Sequence, residues 1–187
     1  NFSQGESMPM FFSSETAFLR AEGALRGWNM GATAQELYEQ GVTLSFTERG
    51  VSGVGKYLSD NTSTPEDYTS PVESSRLSYQ VQTEITVAWE ESAPFEEKLE
   101  RIITQKWIAN FPLGFEAWSD YRRTGYPEIF PVVDNLSNGV ISTSRQQRRL
   151  PFPLKEKQAN SENVKAAVSM LGGSDTGATD LWWAKKN

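Results

Sequence analysis

Apolar side chains recur at intervals of three and four residues from position 14 to position 27, the spacing of one face of an amphipathic α-helix. This face consists of Ala17, Phe18, Ala21, Ala24, Leu25 and Trp28. Because Trp28 continues the face, we expect its ring to lie in the core. Ser13 or Ser14 is predicted to cap the first free N–H groups, and the Asn-Met-Gly sequence at 29–31 to end the helix.

A second helix is predicted to open with a capping box at Thr33 and Glu36 and to end near Glu48. Small, apolar and aromatic residues share one of its faces: Ala34, Leu37, Tyr38, Gly41, Leu44 and Ser45. The two helices, 14–48, and their short connection predict an αα-hairpin. The spacing of Ala34, Tyr38 and Gly41 also matches the second helix of a tetratricopeptide repeat, although the sequence holds no second clear copy.

The segment 50–90 is predicted to be a surface excursion, because it is rich in Gly, Ser, Thr and Asp and contains two prolines. It has room for a short helix at 54–59. Apolar and polar residues alternate from Val81 to Trp89, which predicts a strand; the start of a helix is the alternative.

Two further helices are predicted at 94–110 and 114–123, followed by an irregular region, 125–187, with one last helix at 162–171. Pro94 suits the first turn of the first of these helices, and Pro112 ends it. Four later prolines exclude a long helix after Gly125: Pro127, Pro131, Pro151 and Pro153. The predicted fold class is therefore mainly α, with a tetratricopeptide-like helix pair and long irregular loops.

Composition narrows the possible chemistry. The 187 residues carry a net charge of −6 and contain neither cysteine nor histidine. Thiolate or histidine metal sites, a Cys nucleophile and a Ser-His-Asp triad are therefore excluded within this chain, and the acidic balance argues against nucleic acid. No apolar run is long enough to span a membrane.

Two local patterns suggest phosphate or carboxylate chemistry, and each has a plainer structural interpretation. Gly50–Tyr57 approaches a phosphate-binding loop, but Tyr57 replaces the required Ser or Thr, and the preceding segment is a predicted helix. We interpret it as a glycine-rich turn after a helix. Glu116 and Asp120 lie one helical turn apart, so a solvated or Arg-paired face is favoured over a glycosidase pair.

A calcium site is a third candidate. Asp175 and Asp180 flank a stretch rich in Gly and Thr, but their spacing does not match a calcium-binding loop, and a polar turn is favoured. We predict no bound metal and no cofactor.

Aromatic side chains are the main candidates for ligand contacts, since the chain has six Trp, six Tyr and ten Phe. We name Trp89, Tyr68 and Tyr57 as candidate ligand-binding residues, because all three lie in or beside the polar excursion. The pair Trp182–Trp183 is expected to dock the C-terminal tail with one ring buried.

Five sequence blocks, in order, resemble one family. They are Phe18–Trp28 (FLRAEGALRGW), Ala34–Ser45, Ile103–Ile108 (ITQKWI), Glu116–Pro127 (EAWSDYRRTGYP) and Arg148–Pro153 (RRLPFP), the last followed by Glu156 and Asn160. In composition and order these blocks are similar to those of SusD/RagB-type proteins.

The resemblance implies a bacterial lipoprotein, lipid-anchored at the cell surface in the outer membrane, with an α/α superhelix of tetratricopeptide-like pairs. It implies non-catalytic binding of glycans for delivery to a SusC-like TonB-dependent transporter. A RagB-like peptide receptor is the alternative, and a carboxylate-based glycoside hydrolase or a scaffold that binds only protein are further ones. The resemblance implies no cofactor and no enzymatic activity.

Residues 1–187 are expected to form the C-terminal portion of such a protein, because family members are several hundred residues long and their anchoring cysteine is absent from this sequence. Four residues of the matching blocks are interpreted as structural. Trp118 would act as an aromatic anchor beside Pro127, and Arg122 and Arg123 carry guanidinium groups that can bind backbone carbonyls or carboxylates.

Overall fold

A computed structural model describes residues 9–184, and for residues 74 and 75 the backbone alone. This range is mainly α-helical, so the predicted fold class is confirmed. The α-helices are α1 (Ser13–Leu25), α2 (Ala34–Arg49), α3 (Val54–Leu58), α4 (Ser74–Leu77), α5 (Phe95–Ala109), α6 (Gly114–Thr124), α7 (Leu154–Ala159) and α8 (Ser161–Leu171). A short 3₁₀-helix follows at Trp182–Ala184. Within residues 9–184, no helix has the length and apolarity needed to cross a membrane.

The predicted strand at 81–89 is wrong. Residues 9–184 contain no strand, and β-type pairing is limited there to one isolated bridge between Tyr68 and Tyr79. Side chains take the place of a neighbouring strand for this segment. The carboxylate of Glu128 accepts from the backbone N–H groups of Gln82 and Thr83, and the hydroxyl of Tyr38 donates to the carbonyl of Val87 at 2.7 Å. The alternation therefore belongs to an irregular segment that side chains help to hold.

Contacts divide the chain into two units. The first comprises 9–66, Gln82–Tyr121 and Gly125–Glu128. Its core lies where α1, α2 and α5 meet and contains Phe18, Ala21, Leu37, Tyr38, Val42, Ile102 and Ala109. A Cβ on Gly41 would lie 2.7 Å from the Phe18 ring, so the glycine lets α1 and α2 approach closely.

The helix ends follow the predictions in part. The capping box of Thr33 and Glu36 is present at the start of α2. The predicted serine cap of α1 is wrong, since Phe12 is the N-cap residue and Ser13 and Ser14 lie inside the helix. The carboxylate of Glu48, at the far end of α2, accepts from the backbone N–H of Ser14 at 3.0 Å instead. Ser14 and Glu48 are 34 residues apart in sequence, which is why a local pattern could not predict their contact.

The second unit comprises Asp67–Val81, Arg122–Thr124 and 129–184. Buried arginines and acidic partners hold it together. Arg149 Nη1 lies 2.6 Å from Asp175, and Arg148 Nε lies 2.7 Å from Asp180. Helix α7, which the sequence did not predict, begins directly after Pro153. A proline at that place fixes φ before the first helical residue without removing a hydrogen bond from the helix interior.

Candidate functional site

A groove of about 580 Å³ lies in the first unit, between the C-terminal end of α1 and the N-terminal end of α2. Its walls combine two indole rings with small apolar side chains and a polar edge. The lining residues are Ala24, Leu25, Gly27, Trp28, Ala32, Thr33, Ala34, Gln35, Trp89, Glu91 and Lys98. A concave, partly apolar surface with a few polar groups is the usual form of a small-ligand site.

Backbone hydrogen bonds at the end of α1 place Trp28 in this groove. The N–H of Gly27 donates to Ala24 O and the N–H of Trp28 to Gly23 O, both at 2.9 Å, and Gly27 has φ +83°. This is a Schellman motif, which turns the chain away from the helix axis. Trp28 as a residue is 63% exposed. The predicted burial of Trp28 is therefore wrong, because the helix ends at Leu25 and the apolar face ends with it.

Trp89 also lines the groove and is half-buried. Its ring packs on Tyr38, with centroids 5.4 Å apart, and so joins the edge of the core. Its indole N–H donates to Glu91 at 2.7 Å. The two tryptophans therefore differ in role: Trp28 presents an open face, and Trp89 is fixed by packing and a hydrogen bond.

The edge of the groove carries opposite charges. Lys98 Nζ lies 3.4 Å from Glu91 and 5.9 Å from the centroid of the Trp89 ring. Hydrogen bonds from Trp89 and then from Lys98 hold the pKa of Glu91 below its usual value, so Glu91 is a carboxylate at neutral pH. Gln35 donates to Glu39, which leaves its amide oxygen as an acceptor. These groups can bind hydroxyl or amide groups of a ligand whose flat face lies on an indole.

The three candidate ligand-binding residues do not line one site. Trp89 lines the groove with Trp28, whereas Tyr57 lines a second cavity of the first unit. Tyr68 belongs to the second unit, where its ring, 42% exposed, stacks on Phe130 with centroids 5.4 Å apart. Sequence reasoning favoured a core position for Trp28 over a ligand contact, although Gly27 directly before it is the usual sign of a helix that ends.

The phosphate-loop pattern folds as the plainer interpretation predicted. Gly50 is the left-handed C-cap of α2, and Gly53 is the left-handed residue before α3. The segment therefore joins two helices, and the strand that a phosphate loop requires is not there.

Three of the four carboxylate and calcium candidates form ion pairs. Asp120 is buried and lies 2.8 Å from Lys106, so the expectation of a solvated face is wrong for this residue, while Glu116 on the same helix is exposed. The carboxylates of Asp175 and Asp180 pair with arginines of the second unit. Among residues 9–184, no group of three or more acidic side chains has the arrangement of a metal site.

The block residues interpreted as structural have the following positions. Arg122 is buried, donates from Nη1 to Arg148 O at 3.0 Å, and lies 4.8 Å from the centroid of the Trp183 ring. Trp118 and Arg123 are half-buried, and Pro127 follows a cis peptide bond. Trp182 is 84% exposed, so of the tail pair it is Trp183 that packs on the unit.

Comparison with known proteins places the chain in a family. The model of the SusD-like family, described as Susd and RagB outer membrane lipoprotein, matches residues 1–184. The chain belongs to the SusD-like family, whose members are non-catalytic binding lipoproteins of the outer membrane. No curated protein matches the chain.

Solved structures agree with this assignment. A chitin-binding SusD homolog from Flavobacterium johnsoniae is 54% identical with a TM-score of 0.88, over 93% of this chain and 36% of that one. A SusD-like protein from Bacteroides thetaiotaomicron is 49% identical with a TM-score of 0.93, over 99% of this chain and 39% of that one. A SusD homolog from Bacteroides uniformis is also 49% identical, with a TM-score of 0.93, over 100% of this chain and 39% of that one. The chain thus spans less than two fifths of the length of these relatives.

Proposed function

We propose that the protein binds glycans at the cell surface and that the groove between Trp28 and Trp89 is a contact site for the sugar. The observation that carries this proposal is the exposure of Trp28, a residue that is 63% exposed and lines a concave groove with a polar edge. The C–H groups of a pyranose ring pack well on an indole, and Glu91, Lys98 and Gln35 can bind its polar substituents.

Oligomers of N-acetylglucosamine are the first ligands to test. The relative from Flavobacterium johnsoniae is a chitin-binding SusD homolog and shares 54% of the aligned residues. An N-acetyl group offers both a carbonyl acceptor for Lys98 and an N–H donor for Glu91 or Gln35. We further propose that bound glycan passes to a SusC-like TonB-dependent transporter, since the family supports this partner in general terms.

Tryptophan fluorescence tests the glycan proposal. The protein is titrated with chitooligosaccharides, with starch-type oligosaccharides and with short peptides. We expect saturable quenching by one glycan class. Trp28→Ala should weaken binding about tenfold, since an aromatic contact contributes on the order of 1 kcal/mol beyond burial. Trp182→Ala is the matched control, because it removes another exposed indole that does not line the groove.

Three outcomes would change the assignment. Binding of peptides without any glycan would favour the RagB-like peptide receptor. If neither Trp28→Ala nor Trp182→Ala changes glycan binding, the sugar does not bind in this groove. Association with a transporter and no response to any small ligand would favour a scaffold that binds only protein.

A further inference from the structure

The second cavity of the first unit contains a buried cation with a free donor. This cavity has a volume of about 350 Å³ and lies between α3, α5 and two loops. Its lining residues are Tyr57, Ser63, Thr64, Pro65, Ile85, Thr86, Val87, Arg101, Thr104, Gln105 and Ile108. The volume is within the range of small-ligand sites. The cavity is separate from the tryptophan groove, since the two have no lining residue in common.

Arg101 is the cation, with 3% of its residue surface exposed. Its Nε donates to Thr86 O at 2.9 Å and its Nη2 to Glu97 at 3.1 Å. Its Nη1 is buried and has no hydrogen-bond partner among residues 9–184. A guanidinium carries five N–H groups in a fixed plane, so the two on Nη1 remain for an acceptor that the described residues do not supply. Because charged donors are costly to bury without a partner, this atom indicates a ligand.

The neighbouring side chains fit the same ligand. The buried hydroxyl of Thr104 also lacks a partner in the described part of the chain, and Thr104 lines the same cavity. Gln105 accepts from the Tyr57 hydroxyl at 3.1 Å, which leaves its amide N–H groups available. The side chains that carry these donors, Arg101, Thr104 and Gln105, lie within little more than one turn of α5. An oxyanion has two acceptor oxygens, so it can accept hydrogen bonds from more of these donors than a single water molecule can.

We propose that this cavity binds a small organic carboxylate. The carboxylate would accept from Arg101 Nη1 and Thr104, and the body of the ligand would lie against Tyr57, Ile85 and Ile108. Nη1 and the Thr104 hydroxyl are shielded from solvent in the free protein, so binding requires a small rearrangement of the cavity wall. An acidic sugar and an acidic amino acid both have this chemistry, and the experiment distinguishes them. The proposal does not depend on the glycan function of the groove.

Heteronuclear NMR on the protein can test the site with glucuronate, glucose, glutamate and acetate as probes. We expect glucuronate to shift the amide signals of residues 101–105 in a saturable way and glucose to leave them unchanged. If glutamate matches glucuronate, the site recognises the carboxylate of an amino acid as well; in that case the carboxylate proposal still stands. If no carboxylate shifts these signals, the cavity holds water only and the proposal is wrong.

Two variants separate binding from folding. Thr104→Val keeps the side-chain shape, removes a hydroxyl that has no partner, and should weaken glucuronate binding about tenfold. Thr64→Glu places a negative charge at the exposed edge of the cavity and should weaken it through repulsion. Thr43→Glu adds the same charge at a position outside the cavity and should have no effect. Equal affinities for all four proteins would overturn the assignment. Chitooligosaccharide binding by the groove should be unaffected by Thr104→Val.

Discussion

The ammonium nitrogen of Lys106 lies 2.8 Å from Asp120 Oδ2, and both side chains are buried. Glu15 Oε1 lies 3.3 Å from the same nitrogen. One lysine of α5 therefore lies between a carboxylate of α1 and a carboxylate of α6, all within the first unit. Within residues 9–184, Glu15 Oε2 is buried and has no hydrogen-bond partner. Lys106 places a positive charge beside two acidic groups that solvent hardly reaches.

Removing this cation should destabilise the first unit strongly. We expect Lys106→Met to lower the free energy of unfolding by about 3–5 kcal/mol, because it removes the ammonium group from beside two buried carboxylates. Urea denaturation measures the loss. Lys165→Met is the control: Lys165 pairs with Glu162 at 2.9 Å, but both side chains are largely exposed. That change should cost less than about 1 kcal/mol. Similar losses in the two variants would contradict the role given to Lys106.

The helices could be predicted from sequence because their apolar faces are local patterns. Residue spacing predicts the α1–α2 pair, and Thr33 predicts its capping box. Pro112 and Gly125 predict the ends of α5 and α6. The local predictions that are wrong concern residues whose partners are distant in sequence. Residues 81–89 form an irregular segment with Tyr38 and Glu128 as partners, and nothing in their own alternation distinguishes this segment from a strand.

The candidate site was predicted less well than the fold, for a related reason. An aromatic side chain near a helix end lies in the core or in a groove depending on the residue at which the helix ends. A difference of one turn changes the outcome. Trp28 lies three residues beyond Leu25 and is exposed, whereas Trp89 packs on Tyr38, so the expectation of burial for Trp28 was wrong. No sequence pattern predicts that Arg101 Nη1 lacks a partner among the described residues, because this depends on which atoms the other guanidinium nitrogens bind.

Gly41 should not tolerate a side chain, whereas Gly55 should. A Cβ on Gly41 would lie within 2.9 Å of three atoms of the Phe18 ring, so Gly41→Ala should destabilise the protein by about 1–3 kcal/mol. Gly55 lies in α3, and a Cβ added there would have no neighbouring atom within 4 Å. Gly55→Ala should therefore be neutral or stabilise by up to about 1 kcal/mol. Thermal unfolding of both variants gives the comparison. Loss of stability in Gly55→Ala alone would be inconsistent with the helix packing described.

The hydroxyl of Tyr38 should contribute to stability by fixing the segment that carries Trp89. Tyr38→Phe keeps the ring in the core and leaves the carbonyl of Val87 without its 2.7 Å donor. We expect a loss of about 1–2 kcal/mol by urea denaturation. Tyr68→Phe is the matched control, because the Tyr68 hydroxyl donates no hydrogen bond within residues 9–184 and its ring is partly exposed. If both changes are neutral, the Tyr38–Val87 hydrogen bond does not hold this segment.

Acid should remove the contribution of Asp175 over a defined pH window. Burial alone would raise its pKa, but hydrogen bonds from Lys157 and Arg149 outweigh it and lower the pKa to about 2, from 3.8 for a free side chain. The folded-state pKa is the lower one, so this contribution is complete above about pH 4 and is lost as the pH falls through about 2. We expect Asp175→Asn to cost about 1 kcal/mol or more at pH 6, and the gap to wild type to narrow between about pH 4 and pH 2.

Urea denaturation across this pH range measures that gap directly. Glu66→Gln provides the control, because Glu66 is exposed and has no ion pair within the described part of the chain. Its stability should follow that of wild type at every pH. A gap for Asp175→Asn that stays constant down to about pH 2 would mean that the carboxylate acts through packing alone. The ion pairs with Arg149 and Lys157 would then contribute little to the second unit.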